Sequence, residues 1–395
     1  MEQPLVGERA ASVRGWRPAV TFVLLLGYFG LFGTIIGAQG VLWAEIVPAL
    51  RLSEGVFGSA QLVSPLIAVG ILLLGGQFCA WIGKKRLAVL GLLLLAGSVL
   101  VLAGAGNVWG LVGALLVAGA GNGMLETAMN AATLDWEQAT RRNVMNVMHA
   151  GFSGGAVVGA FSAGALLESS WTYGQVLVAL AGLCGLVLLA TLPVRYPPIE
   201  AQADDVEVPA AALRLILSRP ALGALALLSL LGIVGESVAF TWSVIYLRTL
   251  GADVFVGGAA FALFNGSMFV GRLANAPLVA RLGPRISLFA SGVGLVGATL
   301  LLLTPGPLVL AIVAFVVLGL AVAGVVPTVL SAAARLMPHN NGAIVGGMMA
   351  AAYAGFIVCP PLIGWLAEIA SLRAALLTVG LSGLGILWLA RGIRS

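Results

Sequence analysis

Twelve apolar segments, each of roughly 20 to 30 residues, alternate with short polar stretches along the chain. A helix that crosses a bilayer needs about 20 predominantly apolar residues, so each segment predicts one membrane-spanning helix. The first six predicted spans are 17–48, 55–80, 87–105, 108–134, 144–167 and 172–193. The second six are 219–247, 254–280, 286–304, 307–334, 342–366 and 373–391. The pattern therefore predicts an all-α membrane protein.

The longest polar stretch of the chain, 194–218, is rich in proline and acidic residues. It separates six predicted spans from the next six. We therefore interpret it as a cytoplasmic linker between an N-terminal bundle, 1–193, and a C-terminal bundle, 219–395.

The composition excludes several classes of protein. Hydrophobic residues make up 60% of the chain and charged residues only 9%, whereas soluble domains carry roughly 25% charged residues. The sequence contains no phosphate-binding P-loop, no pattern typical of a catalytic triad and no cluster of metal ligands. We therefore expect no enzymatic activity, cofactor or metal. The small net charge of +5 does not indicate a nucleic-acid partner.

The distribution of basic residues predicts the orientation, because cytoplasmic loops carry an excess of Lys and Arg. If both termini are cytoplasmic, only Arg51, Arg248 and Arg373 of the 20 basic residues lie outside. The opposite orientation would place nearly all of them outside. We therefore predict a multi-pass protein with both termini in the cytoplasm. We expect it to lie in a bacterial inner membrane, surrounded by lipid, and to be active as a monomer.

The two halves of the chain repeat each other. The segments GQFCAWIGKKR (76–86) and APLVARLGPR (276–285) align with a shift of 200 residues, and each follows the second predicted span of its half. Trp43 and Trp242 occupy nearly equivalent positions upstream. A repeat of six spans is typical of transporters, in which two bundles move around a site near the middle of the membrane.

These repeated segments resemble a motif of the major facilitator superfamily, and the resemblance to that family extends over essentially the whole chain. That family's loop after the second helix reads G-x-L-x-D-R-x-G-R-R, but Ala80 and Ala280 stand at its Asp position here. The resemblance implies twelve helices in two pseudosymmetric six-helix bundles, and a gating role for the motif residues that fit. These are Gly76, Gly83, Lys84 and Lys85 in the first copy and Arg281 and Gly283 in the second.

The next loop on the same side contains Asp135, Glu137, Arg141 and Arg142. Because the motif lacks its Asp, we expect Glu137 or Asp135 to pair with Arg141 or Arg142. Such a pair would take over the gating contact.

A narrower resemblance covers residues 121–160, which are similar to the fourth and fifth helices of the branch that contains the fucose–proton symporters. That branch carries an acidic residue followed by a small residue and Asn, and Glu126, Ala128 and Asn130 match this pattern. The resemblance implies proton-coupled sugar transport. It also implies a second acidic residue in the first helix, for which Glu45 is the candidate.

Glu126 is the strongest candidate for transport chemistry. Asn122, Glu126 and Asn130 are four residues apart and so share one face of a helix. A polar stripe inside a membrane must face a cavity or the bundle interior. Burial favours a neutral carboxyl, which would let Glu126 exchange a proton near neutral pH. The alternative is a hydrogen bond that only clamps two helices together.

Glu45 and Glu236 are the other two acidic residues within predicted spans. Each is a candidate for the second proton-binding site. The alternative for Glu45 is a pair with Arg51 at the outer surface, and the alternative for Glu236 is a buried ion pair with Arg272.

Weaker candidates for solute contact are amide, aromatic and cationic residues at similar depths. Trp43 and Trp242 would suit the apolar face of a sugar, although tryptophans near the ends of spans more often anchor a helix at the membrane surface. The full set is Gln39, Trp43, Trp242, Asn265, Arg272 and Tyr353.

These patterns together predict a secondary active transporter that carries a small polar solute, a sugar or related metabolite, in symport with protons. The sequence is also compatible with two alternatives. One is a proton-coupled exporter of drug-like or amphipathic compounds, and the other is a receptor of the same fold that does not transport.

The orientation can be tested by labelling from one side. We expect an Arg51→Cys variant to react with a membrane-impermeant maleimide in sealed right-side-out vesicles, because the loop that contains it is predicted to lie outside. An Asp204→Cys variant should react only after detergent opens the vesicles. Both are compared in a background without the three native cysteines. Labelling of position 204 in sealed vesicles would reverse the orientation.

Overall fold

The computed structural model describes residues 16–142, 144–196, 218–336 and 341–393, and the regular secondary structure in these ranges is helical. Twelve helical segments in this part of the chain are long and apolar enough to cross a membrane. The predicted number of spans and the all-α fold class are therefore confirmed.

The first half forms six spans from eight helices in the described residues, because its second span is interrupted twice. Pro65 has no N–H to bond the carbonyl of Gln61, and the first interruption falls between these two residues. The helices are α1 (Pro18–Ala49), α2 (Glu54–Gln61), α3 (Val63–Leu73), α4 (Gly75–Ile82), α5 (Lys84–Ala103), α6 (Val108–Thr140), α7 (Met145–Glu168) and α8 (Tyr173–Thr191).

The second half forms the other six spans. Its helices are α9 (Pro220–Thr249), α10 (Val254–Leu303), α11 (Leu308–Val322), α12 (Val325–Leu336), α13 (Asn341–Ile369), α14 (Leu372–Ala375) and α15 (Leu377–Ala390). The long α10 contains two spans that meet at Gly283, where the backbone leaves the helical conformation.

Gly83 and Gly283 show that the repeat extends to backbone geometry. Gly83 has φ 80° and ψ 147°, and Gly283 has φ 82° and ψ 164°. Residues with a side chain are essentially excluded from this conformation. Glycine at both positions therefore lets the chain turn sharply between the second and third spans of each half.

Side-chain caps fix the beginnings of several helices. Asn107 accepts hydrogen bonds from the amides of Trp109 and Gly110 in the first turn of α6, and Asp253 accepts one from the amide of Val256 in the first turn of α10. Thr172 and Gln175 cap each other's backbone at the start of α8. Each cap satisfies amides that have no partner inside the helix.

The bundle has two ends. We call the end that carries Trp16 and Ile393 the terminus face. The opposite end, the far face, carries the turns 50–53, 104–107, 169–172, 250–253 and 304–307. The predicted linker lies largely outside the described residues, so the boundary between the two bundles stays a prediction.

Near the terminus face, the chain after α8 is held against α1. The hydroxyl of Tyr28 lies 2.8 Å from the hydroxyls of both Thr191 and Tyr196. Burial raises the pKa of Tyr196 well above its ordinary value, with Tyr28 adding to the effect. The phenol therefore stays neutral, and this contact does not change with pH in the physiological range.

Glycines allow α1 and α7 to pack with their backbones in contact. A Cβ at Gly33 or Gly37 of α1 would overlap the main chain of α7, and one at Gly155 or Gly159 would overlap the main chain of α1. Small residues at membrane helix contacts permit such close approach, and van der Waals packing then replaces the hydrophobic effect as the source of stability.

Two adjacent glycines provide a matched test of this contact. Gly155→Ala should destabilise the purified protein by about 1–3 kcal/mol, because the added methyl group meets Gly30. Gly154→Ala should be neutral or slightly stabilising, because no atom lies within 4 Å of a Cβ at that position. Thermal unfolding in detergent measures both. Equal melting temperatures for the two variants would contradict the packing argument.

Candidate functional site

A cavity of about 330 Å³ lies between the two halves. Helices α1, α2, α3, α6 and α7 line it on one side and α9, α10 and α13 on the other. Its polar lining residues are Gln39, Gln61, Ser64, Asn122, Glu126, Asn130, His149, Glu236, Thr241, Arg272 and Tyr353. Its aromatic lining includes Phe29, Phe32, Trp43, Phe152, Phe240 and Phe356. A few convergent polar groups on a largely apolar wall are typical of small-molecule sites.

Asn122, Glu126 and Asn130 of α6 all line this cavity. The Nδ2 atom of Asn122 lies 3.4 Å from the hydroxyl of Ser64 on α3. Asn130 donates a hydrogen bond of 2.9 Å to the main-chain oxygen of Glu126. The four-residue spacing thus places all three side chains on one wall near the middle of α6, while their roles stay predictions.

Glu126 contacts the opposite half of the molecule. The hydroxyl of Tyr353, on α13, donates to its carboxylate and lies 2.7 Å from both oxygens. In the part of the chain that the structure describes, no cation forms an ion pair with Glu126. An unpaired carboxylate is costly to bury. Glu126 is therefore a cavity carboxylate whose partner is a neutral hydroxyl, with no ion pair among the described residues.

Glu236 has a different environment, because Arg272 lies beside it. Their side chains are 3.6 Å apart, with Glu236 14% and Arg272 33% exposed. Arg272 also lies 3.4 Å from the hydroxyl of Ser153 in the first half. The ion pair considered as one alternative for Glu236 is thus present, and its cation reaches across the boundary between the halves.

Glu45 lies near the far face, and its carboxylate is 3.3 Å from Arg248 of the second half. The pair with Arg51, considered as one alternative for Glu45, is therefore wrong. Arg51 is exposed in the turn that follows α1, with a left-handed backbone (φ 53°). The reversal of the chain at this turn carries it away, and α9 supplies the cation instead.

The weaker candidates divide into two groups. Gln39 and Trp43 line the cavity, as do Arg272 and Tyr353. Asn265 is fully buried, and its side-chain amide donates to a carbonyl one turn earlier in its own helix. It therefore offers no group to the cavity as this structure stands.

The expectation that Trp43 and Trp242 anchor the protein at the membrane surface is wrong. Trp43 is only 5% exposed and Trp242 is fully buried. Phe57 of α2 lies between them, 5.5 Å from Trp43 and 5.4 Å from Trp242. The three rings cover the far-face end of the cavity, which also removes Trp242 from contact with a solute there.

Sequence reasoning missed Gln61, Ser64 and Thr241 as lining residues. A neutral amide or hydroxyl costs less to place in a membrane than a carboxylate does, so it stands out less in an apolar segment. Pro65 was the available signal, because it breaks the helix beside Gln61 and Ser64 and turns this part of the second span toward the cavity.

At the terminus face, Lys84 forms an ion pair with Asp135, whose side chain is nearly buried. Glu137 accepts hydrogen bonds from the amides of Val144 and Met145, which begin α7. Among the described residues, no ion pair joins Glu137 or Asp135 to Arg141 or Arg142, so that expectation is wrong. The physical reason is that α7 needs an N-terminal cap and Lys84 is the cation that α6 meets.

Near the corresponding turn of the second half, the helices are joined by hydrogen bonds between uncharged side chains. Asn275 accepts from Ser287 over 2.6 Å and donates to Thr328 over 3.2 Å. These hydrogen bonds connect both parts of α10 with α12. Lys85 donates to the carbonyl of Leu192 in the first half, and the gating roles of Lys85, Gly76 and Arg281 stay predictions.

Contacts between the halves cluster at the far face. The carboxylate of Glu368 accepts from the amide of Gly55 over 3.0 Å, and Trp365 donates to Ser59 over 3.0 Å. Gly58 packs against the main chain at Pro360. With the Glu45 pair and the aromatic rings, these contacts close the cavity on that side.

Comparison with known proteins identifies relatives over nearly the whole chain. The profile of the family described as Major Facilitator Superfamily matches residues 20–349 and 276–394. An uncharacterized transporter of Sinorhizobium fredii is 28% identical over 364 residues, covering 89% of this chain and 93% of that protein. An uncharacterized MFS-type transporter of Yersinia pestis is 26% identical over 367 residues, covering 91% of this chain and 93% of that protein.

Solved structures with the same fold include a mutant of the nucleoside transporter NupG, with a TM-score of 0.84 and 14% identity over 95% of this chain and all of that one. The E. coli fucose–proton symporter FucP has a TM-score of 0.63 and 17% identity over 95% of this chain and 98% of that one. At these identities the likeness establishes the fold.

The contribution of the Glu236–Arg272 ion pair to stability can be tested by comparison with the Glu45–Arg248 pair at the far face. Breaking a fully buried ion pair costs about 3–5 kcal/mol. Because Arg272 is one-third exposed, we expect Arg272→Gln to lose less than that, but more than the ~1 kcal/mol of an exposed pair. Arg248→Gln, which breaks the more exposed pair, provides that comparison.

Adding Glu236→Gln to Arg272→Gln should restore most of the lost stability, because no charge is then left without a partner. Thermal unfolding in detergent measures all three variants. A double variant no more stable than Arg272→Gln would show that the ion pair is not the cause.

Proposed function

The chain belongs to the major facilitator superfamily of transporters, and we propose that it carries a small hydroxyl-rich solute, a sugar or related metabolite, across the membrane together with a proton. In this proposal the solute binds in the cavity between the halves. The halves then close on one side and open on the other, so that the same site faces each side of the membrane in turn.

The size and lining of the cavity support a small polar solute. Its volume of about 330 Å³ lies at the low end of the range of about 300–1,000 Å³ typical of small-molecule sites. Gln39, Asn122 and Asn130 supply amides that both donate and accept hydrogen bonds. Trp43 supplies an aromatic surface for the apolar face of a sugar ring. A large amphipathic compound would fit this cavity less well, which disfavours the exporter alternative.

The observation that carries proton coupling is the position of Glu126. It lies on the cavity wall without an ion-pair partner in the described part of the chain, whereas Glu236 and Glu45 are each paired with an arginine. An ionised carboxylate only accepts hydrogen bonds, and a protonated one also donates. Solute affinity then depends on whether Glu126 holds a proton, as coupling requires.

The same proposal assigns an orientation. The terminus face, which carries most of the basic residues, lies in the cytoplasm, and the far face lies outside. The far-face contacts then form the outer gate, and the Lys84–Asp135 pair belongs to the inner one. The protein works as a monomer in a bacterial inner membrane.

The solute class can be tested in proteoliposomes that contain a pH-sensitive dye. Monosaccharides, their amino and deoxy derivatives and nucleosides are added one at a time. A transported solute should acidify the interior. Acidification by none of them, with uptake of an amphipathic dye instead, would favour the exporter alternative.

Glu126→Gln tests the coupling, because it keeps the shape of the side chain and removes its titration. We expect the variant to exchange labelled solute across the membrane but to lose uphill accumulation. A gradient of about one pH unit supports about tenfold accumulation for one proton per solute. In the variant, the solute concentrations inside and outside should become equal. The measurement compares uphill uptake with exchange at equal concentrations.

Glu168→Gln is the matched control, because this exposed glutamate at the far-face end of α7 lies outside the cavity. It should accumulate solute as the unmodified protein does. Normal accumulation by Glu126→Gln, together with a lower melting temperature, would instead identify Glu126 as a packing clamp.

A further inference from the structure

We propose that Tyr353 is a positioning residue that holds the two halves in the arrangement with a closed far face, and that it acts through the carboxylate of Glu126 until a solute donor replaces it. The inference rests on the proposed function, because it assigns the solute contact to Glu126. It adds a specific mechanical role for a tyrosine of the opposite half.

The geometry of the contact is that of a latch between the halves. Tyr353 projects from the middle of α13 and Glu126 from the middle of α6, and the phenolic oxygen lies 2.7 Å from both carboxylate oxygens. The ring of Tyr353 also packs against Phe356, with 6.4 Å between centroids. This packing fixes the direction in which the hydroxyl points.

Helix α13 carries both Tyr353 and the residues that contact the first half at the far face. Its later residues make the contacts that seal that face, since Trp365 donates to Ser59 and Glu368 accepts from Gly55. One helix of the second half is therefore held to the first half both at mid-depth and at the far face. Release at mid-depth weakens the attachment of the whole helix.

The chemistry makes the latch and the solute competitors. Tyr353 has one hydroxyl hydrogen, which it directs between the two oxygens of Glu126, and a solute hydroxyl or N–H group would donate to the same oxygens. Both donors cannot take this position at once. The ionised carboxylate of Glu126 therefore binds a solute through a hydrogen-bond donor on the solute, and a donor that takes the position between the two oxygens breaks the bond between the halves.

The latch can be tested without any solute. Spin labels attached through Gly106→Cys and Pro305→Cys would report on the far face, because both residues are exposed in far-face turns of opposite halves. The native cysteines are buried, and protein without the engineered pair shows their background. Pulsed electron paramagnetic resonance measures the ratio of long to short distances.

Tyr353→Phe should raise this ratio by about tenfold or more, the change expected from losing one hydrogen bond to a charged group. Glu126→Leu should raise it to a similar extent, because it removes the other partner. Tyr246→Phe is the matched control, since Tyr246 donates to Leu302 within its own half, and it should leave the ratio unchanged.

The double variant separates a latch from simple packing. In the Glu126→Leu background, Tyr353→Phe should have no further effect, because the contact is already gone. An unchanged ratio for Tyr353→Phe alone would overturn the proposal. An equal shift in both backgrounds would also overturn it, since the effect would then come from packing against Phe356.

These distances do not depend on which solute is carried. If no monosaccharide or nucleoside is transported but the ratios behave as expected, the latch stands and the proposed solute class fails. If a monosaccharide is transported but the ratio does not change, the solute class stands and the latch fails.

Discussion

The cost of leaving an ionised group without a partner inside a bilayer is the constraint on which the interior of this protein depends. Inside the cavity, Glu236 is paired with Arg272, and the nearly buried Asp135 at the terminus face is paired with Lys84. Glu126 is different, because the neutral hydroxyl of Tyr353 is its side-chain partner among the described residues. The one cavity carboxylate that lacks a cation in the described residues is thus the one that a proton or a solute can influence most.

Glycines set how closely the helices pack, both within the first half and across the boundary between the halves. Glycines bring the backbones of α1 and α7 into direct contact within the first half. The halves meet through polar and aromatic contacts at mid-depth and at the far face, and also through glycines, since a Cβ at Gly58 would overlap the main chain at Pro360 and one at Gly364 that at Glu54. The cavity lies at the boundary between the halves, where these contacts leave space for it.

The two halves share backbone geometry but not electrostatics. Gly83 and Gly283 adopt the same unusual conformation, yet the nearby helices are joined by an ion pair at Lys84 in one half and by the neutral amide of Asn275 in the other. A repeat constrains backbone turns more strongly than side-chain partners, because several residue pairs can stabilise the same turn. The loss of the motif Asp in both copies is compensated differently in each.

The sequence by itself determined the twelve spans, the repeat, the family and the face of α6 that carries Glu126, because length, hydropathy and four-residue spacing are local properties. It could not determine which residues of the other half meet that face. Tyr353 was only one of several weak candidates, and Arg248 rather than Arg51 proved to be the partner of Glu45. The position of Trp242 near the end of a span favoured a surface anchor, but the residue is buried and packs against Phe57 of α2. Only the tertiary structure decided these partners, because they depend on how helices far apart in the chain are placed against one another.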